Sequence, residues 1–92
     1  MNLPNRLPAA ARVAARVRWP QGHLVRIGSA WAMVGRLNEG DGVRGWFAVL
    51  VAGYDSADGE SSPRLWWTGA SWGHKRRRDA VAAATAAVQE GR

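Results

Sequence analysis

Between residues 8 and 19 the chain reads PAAARVAARVRW, and Ala10, Val13, Ala14 and Val17 recur at the spacing of one helical face. The pattern predicts an N-terminal amphipathic helix. Pro8 suits its first position, where a missing N–H has no intrahelical partner to lose. Arg12 and Arg16, four residues apart, share a second face. Pro20 and Gly22 end the helix. From His23 to Leu37 the period changes to two, with Val25, Ile27, Trp31, Met33 and Leu37 on one side of a strand. Gly28-Ser29 marks a bulge or a short turn within that stretch. The segment NEGDG (38–42) reads as a hairpin loop, with Asp41-Gly42 able to supply positive φ.

The next segment, 43–54, is apolar on both faces. Phe47, Val49 and Val51 fall on one side, and Trp46, Leu50 and Tyr54 on the other, as expected of a central strand buried on at least one side. An acidic loop, 55–63, precedes a third strand at 64–72. A final helix is predicted from about residue 74 to 90, with Ala80, Val81, Ala84, Ala87 and Val88 on its apolar face. The expected fold is one α+β domain spanning 1–92. It is a three-stranded antiparallel sheet with an N-terminal and a C-terminal helix packed on one face. Both helical stripes are mostly alanine, so bulky strand residues would fill the space between layers.

Composition sharpens this picture. The chain has 92 residues, 47% of them hydrophobic, which suits one small globular domain. The formal net charge is +6, and it is unevenly spread: +5 over residues 1–30, −3 over 31–60 and +4 over 61–92. A basic balance of this size points to nucleic acid, an anionic membrane surface or an acidic protein as partner. Cysteine is absent, which excludes disulfide and thiolate chemistry and makes the cytoplasm the expected compartment. No apolar run approaches the ~20 residues of a membrane span. The alanine-rich face of the first helix would insert poorly into a bilayer surface, so no membrane partner is expected. Twelve of the thirteen cations are arginine, a usage that suggests a bacterial or phage genome.

The strongest chemical signal is the run Lys75, Arg76, Arg77, Arg78 at the start of the last helix. A helix N-terminus carries partial positive charge and favours acids, so four cations there oppose the local preference. A bound phosphate would reverse that balance, because dipole and side chains would then act together. Arg12 and Arg16 are candidate helpers if the two helices lie side by side. Six tryptophans are the second signal. Trp66 and Trp67 are adjacent, so in a strand they point to opposite faces, and one of them is expected to be available for base stacking or for anchoring a partner.

Catalysis finds little support. His23 and His74 flank element ends, and no nucleophile and base are paired in the sequence. The segment DSADGE lacks the alternating carboxylates and downstream Glu of a calcium loop, and neither a metal nor a cofactor is expected.

The α-β-β-β-α order with a basic start to its last helix resembles the double-stranded-RNA-binding domain. Arg77, Arg78, Ala80, Ala83 and Ala84 resemble that family's paired cations and spaced alanines, with Val81 where a further cation is usual. The resemblance implies phosphate contacts from the basic cluster and a groove contact from the first helix, a role open to Arg12 and Arg16. Residues 23–90 alone are similar in outline to the plant APETALA2-type and phage-integrase arm-binding domains. That similarity implies DNA contacts from strand residues, here Arg26, Arg36, Arg44, Arg64 and Trp66. The functional expectation is a small basic nucleic-acid-binding protein, not an enzyme, from a bacterium, phage or mobile element. The alternative is a protein-interaction module, or a phage or mobile-element inhibitor, whose exposed Trp and Arg surface binds an acidic partner or a second copy of the chain.

Overall fold

A computed structural model describes residues 3–38, 44–55 and 63–90. The elements follow as α1 (Ala9–Arg18), β1 (Gly22–Ile27), β2 (Ala30–Asn38), β3 (Arg44–Asp55), β4 (Arg64–His74) and α2 (Arg77–Glu90). The strands form one antiparallel sheet in chain order, β1-β2-β3-β4. The α+β class and the antiparallel meander agree with expectation, but the sheet has four strands where three were expected. The extra strand arises at Gly28-Ser29. Ile27 pairs directly with Ala30, so these two residues are a complete hairpin loop. Gly28 has φ +59° and Ser29 has no positive φ, the pattern of a type II′ turn, which reverses the chain without splaying the strands. The turn at Asp41-Gly42 and the acidic segment 56–62 lie outside the described residues.

The two helices pack on opposite faces of the sheet, not on one. Under α2, Ala80 and Ala84 meet Ile27, Ala32, Val34, Ala48 and Leu50. Under α1, Ala15 and Trp19 meet Met33, Phe47 and Val49, while Leu7 and Ala11 meet Val51. The reason lies in the central strands. Ala32, Met33 and Val34 are consecutive and all buried, as are Phe47, Ala48, Val49, Leu50 and Val51. Such strands present apolar side chains alternately to both faces. A helix on each face is what keeps both sets from water.

The buried stripe of α1 also differs from the predicted one. Leu7, Ala11, Ala15 and Trp19, four apart, face the sheet. Val13 and Val17 lie about 200° round the helix from Ala11 and Ala15, and they are 56% and 75% exposed. Alanine lets the helix approach closely, and Leu7 and Trp19, just beyond its ends, supply the bulk. Val17→Ala is therefore expected to change stability by less than about 0.5 kcal/mol in a urea titration. Ala15→Leu, pressed against Met33 and Phe47, is expected to cost about 1–3 kcal/mol. The opposite ranking would restore the valine stripe.

Phe47 organises the α1 face. Its ring lies over Gly35 of β2, where an added Cβ would come 2.8 Å from the ring and 2.6 Å from the Gln21 carbonyl oxygen. Glycine at position 35 is thus a close-approach requirement that no other residue meets. Trp19 and Trp72 flank the Phe47 ring at 5.1 and 5.2 Å between centroids, and Trp67 meets Trp19 edge-on at 5.9 Å. The Trp19 Nε1–H is buried with no acceptor among the described residues, an expense of about 1–3 kcal/mol set against the ring's apolar contacts. No helix among the described residues is long and apolar enough to cross a membrane.

Candidate nucleic-acid interface

The sheet ends in a cationic corner. α2 opens where the Arg76 carbonyl accepts hydrogen bonds from the Asp79 and Ala80 N–H groups at 3.1 and 3.3 Å. Lys75 and Arg76 therefore precede the helix, and Arg77 and Arg78 occupy its first turn beside Asp79. All four cations are exposed. Lys75 and Arg76 form the connection that carries the chain from the end of β4 into α2.

Beside them opens a cavity of about 430 Å³ lined by Arg36, Arg44, Gly45, Gly73, His74 and Lys75. Register explains the convergence. Arg36 on β2 pairs with Trp46 on β3, and Trp46 pairs with His74 on β4, so these residues form one row across three strands. Arg44 sits two residues before Trp46 on the same strand. At Gly45, with φ +105°, an added Cβ would stand 2.6 Å from the His74 carbonyl oxygen, so the backbones of β3 and β4 close tightly at the cavity wall. Ser71 Oγ and His74 Nε2 share a hydrogen bond of 2.5 Å, which fixes the imidazole through that nitrogen. Lys75 thus belongs both to the cluster read from the sequence and to a cavity lined by two further arginines.

The structure separates other candidates. Arg12 and Arg16 are exposed on α1, across the sheet from α2, and do not extend the cluster at 75–78. Arg12 lines another cavity with Arg6, Arg26, Trp31 and Tyr54, where the Arg26 guanidinium lies 5.2 Å from the Trp31 ring centroid. Arg64, Arg18 and Trp66 line a third, in the seam between α1 and β4. Of the adjacent tryptophans, Trp66 is 52% exposed, whereas Trp67 is half-buried against Trp19 and the α1 core. Trp72, which sequence reading did not single out, is 44% exposed. Its place next to the glycines and cations that close β4 was the available signal. The Arg18 guanidinium sits 4.2 Å from the Trp19 ring centroid, at the end of α1 nearest this aromatic group.

Chemically, the corner offers hydrogen-bond donors and positive charge. Arginine suits phosphate because its planar guanidinium donates two parallel hydrogen bonds. Among the described residues no group of three His, Cys, Asp or Glu side chains is placed to hold a metal ion. The element order has one strand more than the order on which the double-stranded-RNA-binding resemblance rests. Compared with known proteins, the chain matches no family model, no curated protein and no solved structure.

Proposed function

We propose that the chain is a small nucleic-acid-binding protein that grips phosphates with Lys75, Arg76, Arg77 and Arg78 together with Arg36 and Arg44. The observation that carries this reading is the convergence of Arg36, Arg44 and Lys75 on one cavity beside three further exposed arginines. Like charges gathered this closely repel one another, and a polyanion relieves the repulsion while using every donor. Arg12 and Arg16 lie on the other side of the sheet and are outside this grip.

Fluorescence anisotropy against labelled DNA and RNA over a salt series tests the proposal. Wild-type affinity is expected to fall with a log–log salt slope of roughly −3 to −5. Replacing Arg76, Arg77 and Arg78 together by Ala is expected to flatten that slope by roughly 2 to 3, at about 0.7–0.9 for each phosphate that is no longer neutralised. The circular dichroism spectrum should not change, since all three side chains are exposed. An unchanged slope would remove the cluster from the interface.

One observation favours a second reading. Val13 and Val17 are exposed beside Arg12 and Arg16 on the outer face of α1, an apolar and cationic mixture that suits an acidic protein. In that case nucleic-acid affinity would be weak, and Val13→Asp with Val17→Asp would abolish capture of the partner.

A further inference from the structure

Trp72 combines exposure with a fixed orientation. One side of its ring lies on the buried Phe47 ring, with centroids 5.2 Å apart and planes inclined by 25°, and Trp19 packs at 5.8 Å. Phe47 is wholly buried and Trp19 nearly so, so the ring is held by the core. The residue is nonetheless 44% exposed, so part of the ring is open to solvent. A register shift against β3 falls between Ser71 and His74. It is taken up at Gly73, whose φ is +76°, and it leaves His74 opposite Trp46 on the α2 side while Trp72 stays with the α1 core. The end of β4 therefore presents an aromatic platform on one side and the cationic cavity on the other. Trp72 and the cavity residue His74 are two positions apart, at most about 7 Å between Cα atoms. Arg18, over Trp19, supplies a cation on the platform's far side.

We propose that this end of the sheet binds single-stranded nucleic acid, with a phosphate in the cavity at Arg36, Arg44 and Lys75 and a base stacked on the outer face of Trp72. The proposal rests on the nucleic-acid reading above and narrows its ligand. In a duplex the bases are stacked on one another and offer no π-face to a side chain. In a single strand each base does, and stacking of this kind tolerates any sequence.

The test is anisotropy with labelled strands of about 12 nucleotides, as single-stranded DNA, single-stranded RNA and duplex, against the full chain and its Trp72→Leu and Trp72→Phe variants. Leucine keeps apolar cover over Phe47 but offers no π-face. Single strands should bind more tightly than the duplex. Trp72→Leu should weaken them about 5- to 100-fold with an unchanged salt slope, and Trp72→Phe should recover part of that loss. Trp72→Leu binding like wild type would overturn the stacking while leaving the nucleic-acid reading intact. Tighter duplex binding would overturn the single-strand assignment. No binding by wild type to any strand at about 50 mM salt would overturn both. Should Trp72→Leu unfold, ultraviolet cross-linking of the wild-type chain to a bromouracil-substituted strand replaces it. A cross-link mapped to Trp72 supports the proposal, and cross-links confined to other residues overturn it.

Discussion

Phe47→Ala is expected to remove about 3–5 kcal/mol of stability, the range for deleting a fully buried aromatic side chain. For a domain of this size that is a large share of a total expected near 5–14 kcal/mol. The site has little means of collapse. Phe47 is on a central strand, with Gly35 beneath its ring and Trp19 and Trp72 beside it. Glycine cannot reach up to fill the space, and the Trp19 indole is also held by Trp67 and the residues under α1. At about 4–8 °C per kcal/mol, the thermal midpoint should fall by more than 10 °C. Phe47→Leu, which keeps most of the volume, should lose roughly half as much. A loss below about 1 kcal/mol for Phe47→Ala would show that the aromatic group is not the centre of the α1 face.

Most elements were legible because their periods are strong. The helix at 77–90 and the strands around 44–55 and 64–74 fall close to where alternation and helical spacing place them. The fourth strand was hidden by arithmetic. A two-residue hairpin shifts the alternation by one, so Val25 and Ile27 share the α2 face with Ala32 and Val34, while Trp31, Met33 and Leu37, expected beside them, face α1. The bulky positions alone still fall on odd numbers, and 23–37 reads as one strand. The placement of the helices was more accessible than its expected form. Five consecutive buried residues from Phe47 to Val51 cannot be covered from one side. In α1 the valines dominated the apparent apolar face because Ala11 and Ala15, the true contacts, are small. Their large companions, Leu7 and Trp19, lie outside the helix itself.

The candidate interface was legible from the residues themselves only where they are consecutive; Arg36 and Arg44 entered the sequence reading through a family resemblance alone. Lys75, Arg76, Arg77 and Arg78 announce themselves as a run. Arg36 and Arg44 appear in the sequence as isolated strand cations, set among acids in the one stretch of the chain with net negative charge. Nothing local to them indicates a partner at Lys75, nearly forty residues from Arg36. Their meeting depends on the registers of three strands, which the sequence pattern does not determine without knowledge of the turns. Trp72 escaped for a related reason. Its contact with Trp19 joins the end of α1 to the edge strand β4, across a layer that one-face packing of the helices would not contain.

Arg36→Gln combined with Arg44→Gln is expected to weaken nucleic-acid binding about 100-fold or more at low salt, since each charge-assisted hydrogen bond to phosphate is worth roughly 1.5–3 kcal/mol. These two arginines differ from the run at 75–78 in their support. Each stands on a strand of the sheet, paired on a fixed register, so less ordering accompanies each contact they make. The salt slope should flatten by roughly 1.5 to 2, the value for two phosphates released. Glutamine keeps the length and polarity of the side chain, and both positions are exposed, so stability should stay within about 0.5 kcal/mol. The matched control is Arg12→Gln with Arg16→Gln, which removes the same charge from the opposite side of the sheet. A uniform attraction to the whole basic surface would make the two double variants equivalent. A site at the cavity makes the strand pair much the more damaging, and the reverse order would move the interface to the outer face of α1.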